Sequence, residues 1–225
     1  MKKYKKIGIL GGMGPEATAQ LYLKIIKIFQ RDYKAVYDDD FPEIIILNWP
    51  IKDVVEKKPI TTITELEKGI KKLKKMNVDF IAIPCNSVSS FIPLLRKKCK
   101  IEIISIIEET IKKINNLETI GIIATKTTIE SKVYEKRLNT KRIIKPNKIS
   151  QQKITNIILN ILRGEKNDED KKYLIDLINE MKKNGSEKII LGCTDLPLLI
   201  NNKDSIDSLQ IYAEAIVKKT TNGGK

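Results

Sequence analysis

Short, wholly apolar runs alternate with longer amphipathic stretches along almost the whole chain, and this alternation restricts the fold more than any other feature. Ile7–Leu10, Ile44–Leu47, Phe80–Pro84, Ile101–Ser105, Thr119–Ala124, Ile143–Ile144 and Lys188–Leu191 read as strands. Between them the pattern predicts helices. They are Pro15 to about Gln30, a helix capped by Thr62 or Thr64 and running to about Met76, Ser90–Lys98, Glu108–Asn115, Thr128 to about Leu138, Ser150–Arg163, Asp168–Asn184 and Ser208–Lys218. Strands without polar alternation are covered on both faces, and helices between them supply the crossovers. The fold class expected is therefore α/β, with parallel strands in one doubly wound sheet or in two smaller ones.

Within that frame one segment is echoed by another. Phe80-Ile-Ala-Ile-Pro-Cys85-Asn86-Ser87 matches Lys188-Ile-Ile-Leu-Gly-Cys193-Thr194-Asp195 in character, and the two cysteines lie 108 residues apart. Each is an apolar strand, then a cysteine, then a small polar residue. Two similar halves are implied, each with a thiol at the C-terminal end of a strand, the edge where parallel sheets bind ligands. Cys99 follows Arg-Lys-Lys and lacks this context, so it reads as structural.

Composition narrows the chemistry. The chain of 225 residues has no histidine, which excludes a Ser-His-Asp triad, a histidine general base and a histidine-ligated metal. Three cysteines without a C-x-x-C pair argue against a disulfide framework and a zinc ribbon, and for a reducing, cytoplasmic compartment. Met1-Lys-Lys-Tyr-Lys-Lys leads straight into the first strand with no signal-peptide pattern, and the longest apolar run, Ile101–Ile107, is too short to span a bilayer. The net charge of +14 raises the question of nucleic acid. Lys68, Lys71, Lys72, Lys74 and Lys75 are spread over a helix surface, however, and few aromatic residues are available to stack on bases. A solvated lysine-rich surface that steers acidic small molecules is the expectation, with neither nucleic acid nor membrane as partner.

Three motifs carry chemistry. Gly8-Ile-Leu-Gly11-Gly12-Met13-Gly14-Pro15-Glu16-Ala17-Thr18 turns from the first strand into the first helix. Met-Gly-Pro after the glycine pair fits a pyrophosphate poorly, so a carboxylate-sized anion site is expected there. A thiol at a helix N-terminus, as at Cys85-Asn86-Ser87, has its thiolate stabilised by free N–H groups. Cys193-Thr194-Asp195 repeats that arrangement, with Asp195 able to hold or accept a proton. Two thiols across a cleft suit inversion at Cα: one removes the proton, the other returns one to the opposite face. Fixed donors around the carboxylate stabilise the carbanion.

These motifs resemble the aspartate/glutamate racemase family over nearly the whole chain, and its aspartate racemase branch in particular. The likeness rests on residues 8–18, on Pro84-Cys85-Asn86-Ser87, on Ile189-Ile-Leu-Gly-Cys193-Thr-Asp-Leu-Pro-Leu-Leu199 and on Ile206-Asp207-Ser208. The resemblance implies two pseudo-symmetric α/β halves with the active site between them, commonly in a homodimer, and no pyridoxal phosphate, metal or nucleotide cofactor. On this sequence the halves would be residues 1–101 with the returning helix 208–225, and residues 102–207. Cys85 and Cys193 would be the acid/base pair, and Met13, Asn48, Asn86, Ser87 and Thr194 would surround an acidic amino acid. Thr125 and Thr128 would bind carboxylate in the second-half loop, or cap a helix. Arg163 matches a position where some relatives bind the side-chain carboxylate through a lysine; as a residue beside Gly164 it also reads as a helix C-terminal cation.

Four positions depart from the family pattern. Ser89 and Tyr212 stand where histidines are common, Asp195 stands where glutamate often follows Cys-Thr, and no arginine is evident in Asn48-Trp-Pro-Ile-Lys52-Asp53. The expected activity is interconversion of L- and D-aspartate. The alternatives are a maleate isomerase, a hydantoin, glutamate or other amino-acid racemase, and a non-catalytic protein that binds acidic amino acids.

Overall fold

The computed structural model describes residues 4–51, 59–138 and 142–221. The first half holds strands β1 (Ile7–Gly11), β2 (Ile44–Asn48), β3 (Phe80–Ala82) and β4 (Glu102–Ile104). The second holds β5 (Thr119–Ala124), β6 (Arg142–Ile144), β7 (Lys188–Gly192) and β8 (Ser205–Asp207). Each set forms an all-parallel four-stranded sheet, in the orders β2-β1-β3-β4 and β6-β5-β7-β8. The two orders are the same arrangement used twice, and the strands that precede Cys85 and Cys193 hold equivalent places.

The helices are α1 (Pro15–Tyr33), α2 (Pro59–Lys75), α3 (Ile92–Cys99), α4 (Ile106–Lys113), α5 (Lys126–Glu130), α6 (Lys148–Arg163), α7 (Asp168–Lys183) and α8 (Ser208–Thr221). Local chemistry fixes many of their ends. Pro15 opens α1, and its buried Ala17, Leu21, Ile25, Ile28 and Phe29 form one helical stripe. Ser105, Asn147 and Asn167 cap α4, α6 and α7, each accepting a backbone N–H three residues on. Gly164, at φ 84°, ends α6 in the left-handed conformation. No described helix is long and apolar enough to cross a membrane.

Three apolar clusters form the core. One lies outside the first sheet under α2 and α3, and one outside the second under α6 and α7. The third lies between the sheets and draws on both halves: Ile9 and Phe29, Ile106, Ile122 and Tyr134, and Leu209, Tyr212 and Ile216 of α8. Helix α8 packs on α1 and α4, and the Lys5 N–H bonds the Thr220 carbonyl.

Several expectations need correction. β4 pairs with β3 in the first sheet, so a division before Glu102 cuts off that sheet's edge strand. α2 begins at Pro59, which places Thr62 and Thr64 inside it, and Thr64 donates back to the Ile60 carbonyl instead of capping. The helix expected over 128–138 stops at Glu130, where turns that include Lys132 at φ 52° take over. β8 was not anticipated; Ser-Ile-Asp has one apolar residue and no run to see.

Candidate active site

Strand ends from both sheets converge on a cleft of about 420 Å³. The β1–α1 turn supplies Gly12, Met13, Gly14 and Pro15, and the turns after β3 and β7 supply the two cysteine motifs. Gly12 is required at its place: its φ is 96°, and a Cβ there would lie 2.5 Å from the Trp49 carbonyl oxygen. A Cβ at Gly14 would meet Asp195 Oδ1 at 2.7 Å, so the first half approaches the second closely at this point.

Both cysteines line the cleft and are free and buried. Burial pushes the Cys85 thiol up to about 11, while the backbone N–H groups of Val88 and Ser87 partly offset this by pointing at its sulfur. Cys193 is likewise raised well above the ordinary thiol value, by burial first and then by the carboxylate of Asp195; the Asp195 backbone N–H is its one counterweight from the main chain. The Cys193 sulfur lies 3.6 Å from Asp195 Oδ2 and donates to it. Burial raises the Asp195 carboxyl, against the hydrogen bond from Cys193. The two thiols are thus unequal. Cys85 has two backbone donors for its anion, and Cys193 has one and also donates to a neighbouring carboxylate.

The hydroxyl groups form a cluster across the halves. Ser87 Oγ lies 2.9 Å from Thr125 Oγ1 and 3.3 Å from Thr128 Oγ1, and the two threonine oxygens are 2.9 Å apart. Ser87 and Thr125 reach the cleft, whereas Thr128 stands behind them and is not part of its lining. Thr125 is also the cap of α5, one of its two sequence readings, and it lines the cleft. Asn86 lines the cleft but is tied in place: its Oδ1 accepts from the Tyr134 hydroxyl at 2.9 Å, and its Nδ2 donates to Ser208 Oγ at 3.3 Å. Thr194 donates its hydroxyl to the Pro84 carbonyl at 3.1 Å, which leaves it only lone pairs for a ligand. It is therefore set to accept from an ammonium, where a carboxylate contact was expected.

The structure also accounts for the departures from family pattern. The Ser89 hydroxyl donates to the Cys85 carbonyl. The Tyr212 hydroxyl accepts from the Ile83 N–H at 2.8 Å and donates to the Ile104 carbonyl at 2.7 Å, pinning the strand end two residues before Cys85.

Two expected substrate contacts are not brought to the cleft. Arg163 is exposed and donates to Asn160 Oδ1 at 3.2 Å. The face of α6 that lines the cleft carries Thr155, Ile158, Leu159 and Leu162, and Arg163 falls outside that stripe. Asn48 is exposed at the end of the edge strand β2, and the chain joins the cleft only at Ile51. Lys52 and Asp53 lie outside the described residues. The glycine turn contributes a wall but less of an anion cradle than expected, because the Gly12 N–H is already donated to Thr18 Oγ1 at 3.2 Å.

Sequence reasoning looked to Arg163 on α6 and missed the apolar wall that this helix supplies. Its available signal is that Leu159 and Leu162 are large, apolar and exposed on a helix whose core stripe is complete without them. Among the described residues no group of three or more Cys, Asp or Glu is gathered to hold a metal ion.

Comparison with known proteins agrees with this geometry. The chain is 31% identical over 222 residues to the broad specificity amino-acid racemase RacX of Bacillus subtilis, covering 94% of this chain and 96% of that protein. The crystal structure of an aspartate racemase homologue from Pyrococcus horikoshii superposes with a TM-score of 0.79 at 26% identity, over 96% of this chain and 99% of the other. Glutamate racemase from Francisella tularensis, solved with D-glutamate, shares the fold at a TM-score of 0.66 and 20% identity, over 98% of this chain and 82% of that one. Residues 10–216 match the Asp/Glu/Hydantoin racemase family, and the chain belongs to that family.

Proposed function

We propose that this protein is a cofactor-independent amino-acid racemase in which Cys85 and Cys193 work as a two-base pair. The observation that carries the proposal is that the two thiols sit at equivalent positions of two like-ordered sheets and line one cleft. The aspartate racemase homologue and the broad-specificity racemase both support reading the reaction as inversion at Cα.

The steps follow from the inequality of the thiols. Cys85, with backbone donors at its sulfur, ionises first and takes the α-proton as a thiolate. Its C–H electron pair passes into the carboxylate as an enediolate-like anion. The bonded Ser87–Thr125 hydroxyl pair lines the cleft, and the hydroxyl that does not donate within the pair donates to that charge. Cys193 then delivers its S–H proton to the opposite face and is left as the thiolate. The Asp195 carboxylate, which accepted that proton's hydrogen bond, holds the acid in position. The reverse direction exchanges the roles of the two sulfurs.

The test is incubation of the reduced protein with single L-amino acids in D₂O without added cofactor. NMR would follow loss of the α-proton signal, and circular dichroism the loss of optical activity. Loss of both supports two-base inversion. Tight binding with no α-proton exchange would instead favour an amino-acid-binding protein that retains the fold.

A further inference from the structure

The polar groups that line the cleft among the described residues match the two α-groups of an amino acid and leave no cation for a side-chain carboxylate. Among the described residues, no lysine or arginine lines it. Lys166, a cation felt by Asp195, is engaged by Glu16 in an ion pair that joins the two halves. The one lining carboxylate is Asp195, 5% exposed, with Oδ2 on the Cys193 thiol and Oδ1 without a hydrogen-bond partner among the described residues. A buried oxygen of this kind calls for a donor. Because Asp195 touches the thiol that reacts at Cα, that donor lies next to Cα, as an α-ammonium does and a distal side-chain amine does not. Thr194 presents lone pairs in the same motif.

The opposite requirement, a donor for the α-carboxylate, is met at the Ser87–Thr125 hydroxyl pair, where one hydroxyl donates to the other and the second is left to donate into the cleft. Of the other polar side chains, Thr155 donates to the Gln151 carbonyl and Asn86 is held by Tyr134 and Ser208; the larger side chains that remain are apolar, Met13, Ile51, Ile158, Leu159 and Leu162. A β- or γ-carboxylate placed there would lose its water and gain no cation. An alkyl or thioether side chain would gain by burial.

Resting on the two-cysteine reading, we propose that the substrate is an amino acid with an uncharged, apolar side chain of leucine or methionine type, seated against the apolar face of α6. Ionic recognition is confined to the α-ammonium at Asp195 and the α-carboxylate at Ser87 and Thr125.

The experiment compares α-proton exchange of L-leucine, L-methionine, L-aspartate, L-glutamate and L-lysine by the full chain in D₂O. Leucine and methionine are expected to exceed aspartate, glutamate and lysine in kcat/KM by about tenfold or more. Leu162→Lys, which places a cation on the half-exposed α6 wall, is expected to shift the aspartate-to-leucine ratio toward aspartate by about tenfold. Preference of the unmodified protein for aspartate, glutamate or lysine would overturn the inference and leave the racemase reading standing. Exchange with none of the five would remove the racemase reading, and the inference with it.

Discussion

Raising the pH from about 6.5 to about 8.5 is expected to raise kcat/KM about a hundredfold, because the base must be a thiolate and the free enzyme holds it as a thiol. The magnitude follows from Cys85. Burial away from water pushes that thiol up to about 11, despite the N–H groups of Val88 and Ser87. At pH 7 only about one molecule in ten thousand then carries the thiolate, and each pH unit raises that share about tenfold. The direction is fixed: activity is present above the thiol's pKa and is lost as pH falls. Cys193 is also raised well above the ordinary thiol value, by burial and by the Asp195 carboxylate, and serves as the acid over the same range. In the complex a bound ammonium beside the sulfurs favours the thiolate, so kcat should level off at lower pH than kcat/KM. Initial rates of α-proton exchange across this range provide the assay, with site-resolved alkylation of Cys85 by iodoacetamide as a substrate-free companion. A kcat/KM that is flat between pH 6.5 and 8.5 would refute the reasoning, because Cys85 would already be ionised in the free enzyme.

Two other substitutions test the scaffold of the site. Tyr212→Phe leaves the Ile83 N–H and the Ile104 carbonyl without their buried partner. At about 1–3 kcal/mol for each orphaned group it should cost about 2–6 kcal/mol in urea denaturation. A loss below about 1 kcal/mol would mean that the hydroxyl does not tie these strand ends. Gly14→Ala puts a methyl 2.7 Å from Asp195 Oδ1 and 2.9 Å from Leu162 Cδ2. It should lower kcat/KM by about tenfold or more, since small misplacements at a reacting centre are costly; unchanged kinetics would show that Asp195 does not face the first half as described.

Much of this was legible in the sequence because the underlying signals are local and repeated. Seven of the eight described strands are visible as apolar runs, since both faces of each sheet are covered. Cys85 and Cys193 stood out because each follows such a run in the same way, and Ser87 and Thr125 followed from their motifs. The rest depends on long-range geometry. The orientation of a hydroxyl, as at Thr194, is set by a carbonyl 110 residues away in sequence. Arg163 fits a family pattern in one dimension, yet α6 turns Leu162 to the cleft and leaves Arg163 in solvent. Tyr212 looks like the loss of a histidine, and only its two bonds to strand ends show what it does. β8 is too short and too polar to announce itself, and only its pairing with β7 makes it a strand.

The most direct test of the two-thiol account is the pair of variants Cys85→Ala and Cys193→Ala, each assayed for inversion by circular dichroism on an amino acid that the unmodified protein racemises. Both are predicted to fold, since each change removes one small buried side chain, and both should lose inversion by at least about a hundredfold. Near-normal inversion in either variant would contradict the claim that the two cysteines divide the two faces of Cα between them.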